Sequence, residues 1–277
     1  MQKKRIPDKL NKLNKLNKLN KLNKLNKLNK LNIKLYINKM EHNIMAAKII
    51  AVLNQKGGSG KTTVSMQLGG TLGLRGYKIQ IIDGDEQSSA VEWASMAPEG
   101  VPFPAKVVNL SAAGRKIHQE IKKFYDDNDY IIVDCPPAAE SPVSKSVLLV
   151  ADLALVPFIP DGLNMTAAVR IRDTIEDARI MNPNLHRLLA LNRVESNTKL
   201  TLEVLELLPE FNMEQMETKL HKRTHYPETF LLGATVHALK SKAKDAIEEI
   251  EKFTDEVIAF IKKTNVNIKE KINESIQ

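Results

Sequence analysis

A single cysteine, Cys135, occurs among the 277 residues. No intrachain disulfide can form, therefore, and no pair of cysteines can hold a metal. That scarcity agrees with a reducing compartment, and a cytoplasmic protein is expected. Aromatic residues are sparse at 5%, and no apolar run approaches the ~20 residues that cross a bilayer as a helix. The basic start is not followed by an apolar core, so it does not read as a secretory leader. Acidic residues are nearly missing from positions 1–45, which hold 13 of the 41 basic residues against only Asp8 and Glu41. The remainder carries 28 basic and 31 acidic residues, a net of −3, so the formal +8 of the whole chain comes from its beginning. Nucleic-acid affinity in the remainder would need a local basic patch.

Residues 9–32 repeat Lys-Leu-Asn with a period of three. In an α-helix each step of three sets the leucine back by about 60°, so the eight from Leu10 to Leu31 spread over every face. Asparagine is also a poor helix former. Residues 1–45 are therefore expected to be a disordered low-complexity extension. The other reading is a basic arm touching nucleic acid or anionic lipid.

From 46 onward apolar strands alternate with helical patterns. The expected fold is α/β: a P-loop NTPase with a mostly parallel twisted sheet, helices on both faces, in a single domain over 46–262. Residues 263–277 form a tail. Strands are predicted at 49–53, 78–82, 105–110, 130–133, 153–159 and 188–191. An amphipathic helix is predicted over 61–75, with Val64, Leu68 and Leu72 on its inner face, ending at Gly76. Ser111 is expected to cap a helix running through Ile117, Ile121 and Phe124. A helix burying Ala168, Ile171, Ile175 and Ala178 closes at Pro183. The last helix carries the stripe Leu239, Ala243, Ala246, Ile250, Phe253 and Val257, which reads as core.

The stretch Lys56-Gly57-Gly58-Ser59-Gly60-Lys61-Thr62-Thr63 lies between the first strand and the first helix. Glycines free of Cβ let several N–H groups turn inward on one anion, and the helix N-terminus adds partial positive charge. Lys61 supplies a cation for the β- and γ-phosphates, and the Thr62 hydroxyl suits Mg²⁺. The general pattern wants glycine where Gln55 stands. Asp134 follows four apolar residues, the setting of an acid that holds Mg²⁺, usually through water. Asp83 and Asp85 leave another strand end, where only one can easily face the γ-phosphate. Asp85 is assigned to the attacking water, and Asp83 to a structural role or to Mg²⁺ through water.

Together with Asp-Gly-Asp-Glu-Gln at 83–87 and Val-Asp-Cys-Pro-Pro at 133–137, this loop resembles the ParA/MinD deviant-Walker ATPases, and within them small ParA-type plasmid partition ATPases. The resemblance covers 46–262. It implies ATP and Mg²⁺ as ligands and slow hydrolysis at Asp85. It also implies a homodimer on ATP binding, in which Lys56 reaches the partner's phosphates. Lys61, Thr62 and Asp134 take the P-loop and Walker B roles. Asn192 is similar to an adenine-contacting asparagine, and Pro160 and Asp161 to the loop beside the base. Lys219, Lys222, Arg223, Lys240 and Lys242 form a patch expected to bind DNA without sequence preference. A centromere-binding ParB-type adaptor and nucleoid association follow from the same likeness. Glu86 departs from the usual proline and is expected to loosen the loop. A MinD-type membrane-associated ATPase is the alternative, on Ile268, Ile272 and Ile276. An iron–sulfur carrier would rest on Cys135 alone, and a nucleic-acid-binding protein on the basic arm.

Overall fold

The computed structural model describes Lys18, Lys21, Leu22, Lys24, Leu25, Lys27, Leu28, Lys30, residues 46–195 and residues 198–276; side chains at 162–165, 200 and 265–276 are outside that description. The chain divides into two units, Met1–Ala46 and Ala47–Gln277. In the first, the described residues of the repeat are helical. Their leucines are nonetheless bare: Leu22, Leu25 and Leu28 are 56%, 49% and 50% exposed, as a drifting apolar position requires.

The second unit runs β1 (Lys48–Val52), α1 (Lys61–Leu74), β2 (Ile79–Asp83), α2 (Ser89–Ser95), β3 (Lys106–Asn109), α3 (Ile117–Ile121), β4 (Tyr130–Asp134) and α4 (Pro142–Leu148). It continues with β5 (Leu153–Phe158), α5 (Gly162–Met181), β6 (His186–Leu191), α6 (Lys199–Leu207), β7 (Glu214–Gln215), α7 (His225–Leu231) and α8 (Lys244–Ile276). Among the described residues the strands form one seven-stranded parallel sheet in the order β3-β2-β4-β1-β5-β6-β7.

Both faces of this sheet are covered, which is why its strands read as unbroken apolar runs rather than alternating ones. Ile49 and Ala51 of β1, with Leu53 just after it, pack on one side with Ile117, Val147, Ile171 and Ile175. Ile50 and Val52 pack on the other with Val64, Leu68, Ile250, Phe253 and Val257. The period-two direction of side chains along a strand produces this division.

Register sets the site. Val52 lies level with Asp134, and Asp134 with Asp83, so β1, β4 and β2 release their chains at one edge. β1 stands between β4 and β5, where connections diverge to opposite sides of the sheet, the place where open α/β sheets bind ligands.

Several predicted elements differ. Helix α1 is not amphipathic but buried nearly all round from Val64 to Leu72, lying between the sheet and α8. Ser111 does not cap the next helix; its hydroxyl instead donates to Asn109. That segment is 3₁₀ at Ser111–Lys116 and again at Lys122–Phe124, with Gly114 breaking the first piece. Lys240 sits at φ 51° inside a 3₁₀ stretch, Val236–Ala243, so α8 begins only at Lys244. No described helix is long and apolar enough to cross a membrane. The backbone at Ile268, Ile272 and Ile276 is helical, but their side chains lie outside the described residues.

Candidate nucleotide site

The glycine loop leaves β1 and turns through left-handed backbone at Gly58 (φ 75°) and Gly60 (φ 85°), which glycine adopts without steric cost. A Cβ on Gly60 would stand 2.2 Å from Asn192 Nδ2, so a larger residue would also have to displace that amide. Lys61 Nζ donates to the Lys56 carbonyl at 3.1 Å, and Ser59 Oγ donates to the same oxygen at 3.2 Å. The loop is thus closed on itself, with the Lys61 amine at its centre. Burial lowers the Lys61 pKa from its ordinary value, while Asp134, Cys135 and Asp85 pull it back upward.

Asp134 ends β4 fully enclosed. Thr62 Oγ1 donates to its Oδ2 at 2.6 Å, and Ser65 Oγ to its Oδ1 at 3.3 Å. Burial pushes the carboxyl up to about 7; the Thr62 bond and Lys61 oppose this, and nearby Asp83 adds to it. A hydroxyl and a carboxylate are hard oxygen donors. Among the described residues no group of three or more His, Cys, Asp or Glu is arranged to hold an ion. Mg²⁺ suits that arrangement, since it is ordinarily held by one or two protein oxygens with water and ligand phosphates completing its shell. Thr62 and Asp134 are the residues that would hold it. Cys135 is buried beside them, its thiol pushed up to about 12 by burial first and then by Asp134.

Asp83 is occupied with backbone, as its structural reading expects. Its Oδ1 accepts from Asp85 N at 3.0 Å, and its Oδ2 accepts from Ala90 N at 2.9 Å and Val91 N at 3.2 Å. Both oxygens serve the loop and the start of α2. Burial raises its pKa despite those three bonds. Asp85, by contrast, lines the same cavity as the glycine loop.

That cavity holds about 850 Å³ and is walled by Gly57, Gly58, Gly60, Lys61, Thr62 and Thr63 on one side. Asp85, Trp93, Pro137, Asn192, Arg193 and the 221–224 segment also line it. The volume lies within the range of small-molecule sites, ~300–1,000 Å³. Pro160 and Asp161 line a separate cavity of about 400 Å³, which shares Arg193 and Lys222 with the larger one. Asn192 is buried at the end of β6 and donates Nδ2 to the Ser59 carbonyl at 2.9 Å, clamping the loop directly. Lys56 does not line the large cavity, and among the described residues no hydrogen bond or ion pair reaches its ammonium.

The basic patch divides. Arg223 bonds Glu249 through Nε and Nη2 and lies 3.4 Å from Asp245; Lys222 pairs with Glu195 at 2.6 Å. Both also line the cavity, and Lys222 is exposed at the same time. Lys240 and Lys242 are exposed, and among the described residues no ion pair reaches them or the half-buried Lys219.

Three site residues escaped the sequence. Gln55, noted only as a missing glycine, accepts from Ala139 N at 3.0 Å and so ties the glycine loop to the segment after β4. Arg193, at φ 52°, donates to the Gly58 carbonyl at 3.2 Å. Asn109, at the end of β3, holds the Asp85 loop. Each acts on a residue tens of positions away, which local pattern does not encode.

Residues 50–275 match the family model described as the CobQ/CobB/MinD/ParA nucleotide binding domain. The chain is 28% identical over 209 residues to maintenance of carboxysome distribution protein A of Halothiobacillus neapolitanus, covering 76% of this chain and 95% of that one. It is 27% identical over 220 residues to protein ParA of Rhizobium radiobacter, covering 78% and 96%. The septum site-determining protein MinD of Pyrococcus horikoshii, solved with Mg-ADP, superposes with a TM-score of 0.58 at 22% identity, over 76% of this chain and 96% of that one.

Proposed function

The chain belongs to the CobQ/CobB/MinD/ParA nucleotide binding domain family, as a P-loop ATPase using ATP and Mg²⁺, and from that premise we propose a dimerising switch that partitions DNA. ATP lies along the glycine loop with Lys61 at its β- and γ-phosphates. Mg²⁺ held at Thr62 and Asp134 would supply positive charge against the charge developing on the phosphates. Thr62 and Asp134 orient that end of the site, and Asp85 orients the attacking water. Water attacks the γ-phosphorus, the bond to the β–γ bridging oxygen breaks, and ADP and phosphate leave. Lys56 reaches the phosphates of a second copy, which makes closure of the dimer depend on ATP.

The ATP-bound dimer binds DNA without sequence preference through Lys219, Lys240 and Lys242, giving nucleoid association. A centromere-binding adaptor of the ParB type stimulates hydrolysis and releases it, so that plasmid or chromosome is carried along. The observation that carries this reading is the convergence of Lys61, Thr62 and Asp134 at one strand edge, with Asp85 on the same cavity. The test is DNA co-sedimentation with ATP, with ADP and without nucleotide, across a salt titration. Binding that needs ATP and falls steeply with salt supports it, and Asp85→Ala should prolong the DNA-bound state. DNA binding indifferent to nucleotide would overturn it.

A further inference from the structure

The chain leaves β2 at Asp83 and turns into α2 through Gly84-Asp85-Glu86-Gln87-Ser88, a loop with no proline to fix any φ. Ser88 nonetheless holds left-handed backbone at φ 56°, a conformation that is strained for a residue other than glycine. Within the loop Ser88 N donates to the Asp85 carbonyl at 3.1 Å, and a further tie comes from outside it. On the neighbouring strand β3, Asn109 is level with Asp83. Its Nδ2 donates to the Asp85 carbonyl and to Ser88 Oγ, both at 2.9 Å. Its Oδ1 accepts from Ser111 N at 2.9 Å and from Ser111 Oγ at 2.7 Å. Two donors and two acceptors exhaust the hydrogen-bonding capacity of the amide, so it has no alternative arrangement of similar energy.

We propose that Asn109 is a positioning residue for ATP hydrolysis, holding Asp85 toward the nucleotide cavity. The peptide preceding Asp85 is fixed by its N–H on Asp83 Oδ1, and the peptide following it by its carbonyl on Asn109 Nδ2. Peptides are planar, so fixing the plane on each side of a residue fixes its φ and ψ and with them the direction of its Cα–Cβ bond. The same carbonyl also accepts from Ser88 N, a bond that moves with the loop; Asn109 is the contact that ties this oxygen to the sheet. The loop is thereby stiffened despite Glu86. The inference rests on the reading of Asp85 as the group that orients water.

The test is basal hydrolysis by the full chain in saturating Mg-ATP, with ATP affinity from a fluorescent analogue. Asn109→Ala should lower kcat by ~10- to 100-fold, the scale set by sub-ångström to ångström misplacement of a catalytic group, and leave ATP affinity within about twofold. Introduced into Asp85→Ala, the same change should lower kcat no further, because the group it positions is gone. Asn109→Asp keeps the shape and the acceptor for Ser111 N but cannot donate to the Asp85 carbonyl. It should reproduce the kcat loss even if the alanine variant folds poorly. A wild-type kcat in Asn109→Asp beside an inactive Asp85→Ala would overturn the proposal alone. Parallel losses of kcat and ATP affinity would make Asn109 a structural residue and overturn it too. A wild-type rate in Asp85→Ala would instead remove the reading beneath it.

Discussion

The Thr62 hydroxyl donates a 2.6 Å hydrogen bond to Asp134, joining the first turn of α1 to the last residue of β4. It is the largest influence opposing burial on that carboxyl, and it gathers the two hard oxygen donors that suit Mg²⁺. Thr62→Ala removes one donor and leaves Asp134 with Ser65 and Lys61. ATP affinity in Mg²⁺ should fall at least ~10-fold, the scale seen when metal-site support is removed. Affinity in EDTA should hardly change. Titration of a fluorescent ATP analogue with and without EDTA measures both. Equal Mg²⁺-dependent affinities in variant and wild type would remove Thr62 from the metal site.

Two lysines five residues apart have opposite surroundings. The Lys61 amine is buried on the Lys56 carbonyl, whereas the Lys56 ammonium lies outside the cavity that Lys61 helps to wall. Lys61→Ala should therefore weaken ATP binding on the order of 100-fold, the scale of charged hydrogen bonds to phosphate. Lys56→Ala should bind ATP as a monomer yet fail to dimerise. Calorimetry gives the first result and light scattering with ATP the second. An ATP-dependent dimer of the Lys56 variant would refute the reach of that side chain to its partner.

Glu249 on α8 anchors the segment 221–226 through Arg223 and His221. Burial alone would raise its carboxyl; the hydrogen bonds from Arg223 and His221 outweigh that and leave its pKa below the ordinary 4.5. A folded-state pKa below the unfolded one gives stability that is present above the unfolded value and lost as pH falls through the folded one. Glu249→Gln should lower Tm at pH 7 and flatten the decline of Tm between pH 5 and pH 3, read by thermal melts across that range. An unchanged pH profile would place the acid-sensitive carboxylates elsewhere.

These partners explain what could be read in advance and what could not. Strands β1, β2, β4 and β5 were legible because burial on both faces demands unbroken apolar runs. The glycine loop was legible because backbone turning toward an anion restricts residue type at fixed spacing. Asp134 was legible from its place after Val133. By contrast, β7 is two residues long and has no pattern of its own. Helix α2 takes its starting N–H groups to Asp83 on a strand, and the Arg223–Glu249 pair spans 26 residues. Burial of α1 on nearly every side comes from α8, whose packing partner its own stripe does not name.

Gly73, in the last turn of α1, tests that packing. A Cβ there would stand 2.0 Å from the carbonyl oxygen of Pro104 and 2.8 Å from its carbon, both backbone atoms with little freedom to yield. Helix propensity alone would favour alanine by about 1 kcal/mol. Overpacking against backbone acts the other way and costs about 1–3 kcal/mol, so the larger effect should win and Gly73→Ala should destabilise. For a chain of this size each kcal/mol lowers Tm by roughly 2–4 °C. ATP affinity should survive, because Gly73 lies at the end of α1 remote from Lys61 and Thr62. Gly76→Ala provides the contrast: its φ is 89° but no atom lies within 4 Å of the added Cβ, so it bears backbone strain alone. A Gly73→Ala variant as stable as wild type in denaturant melts would mean that α1 and the Pro104 segment do not approach as closely as described.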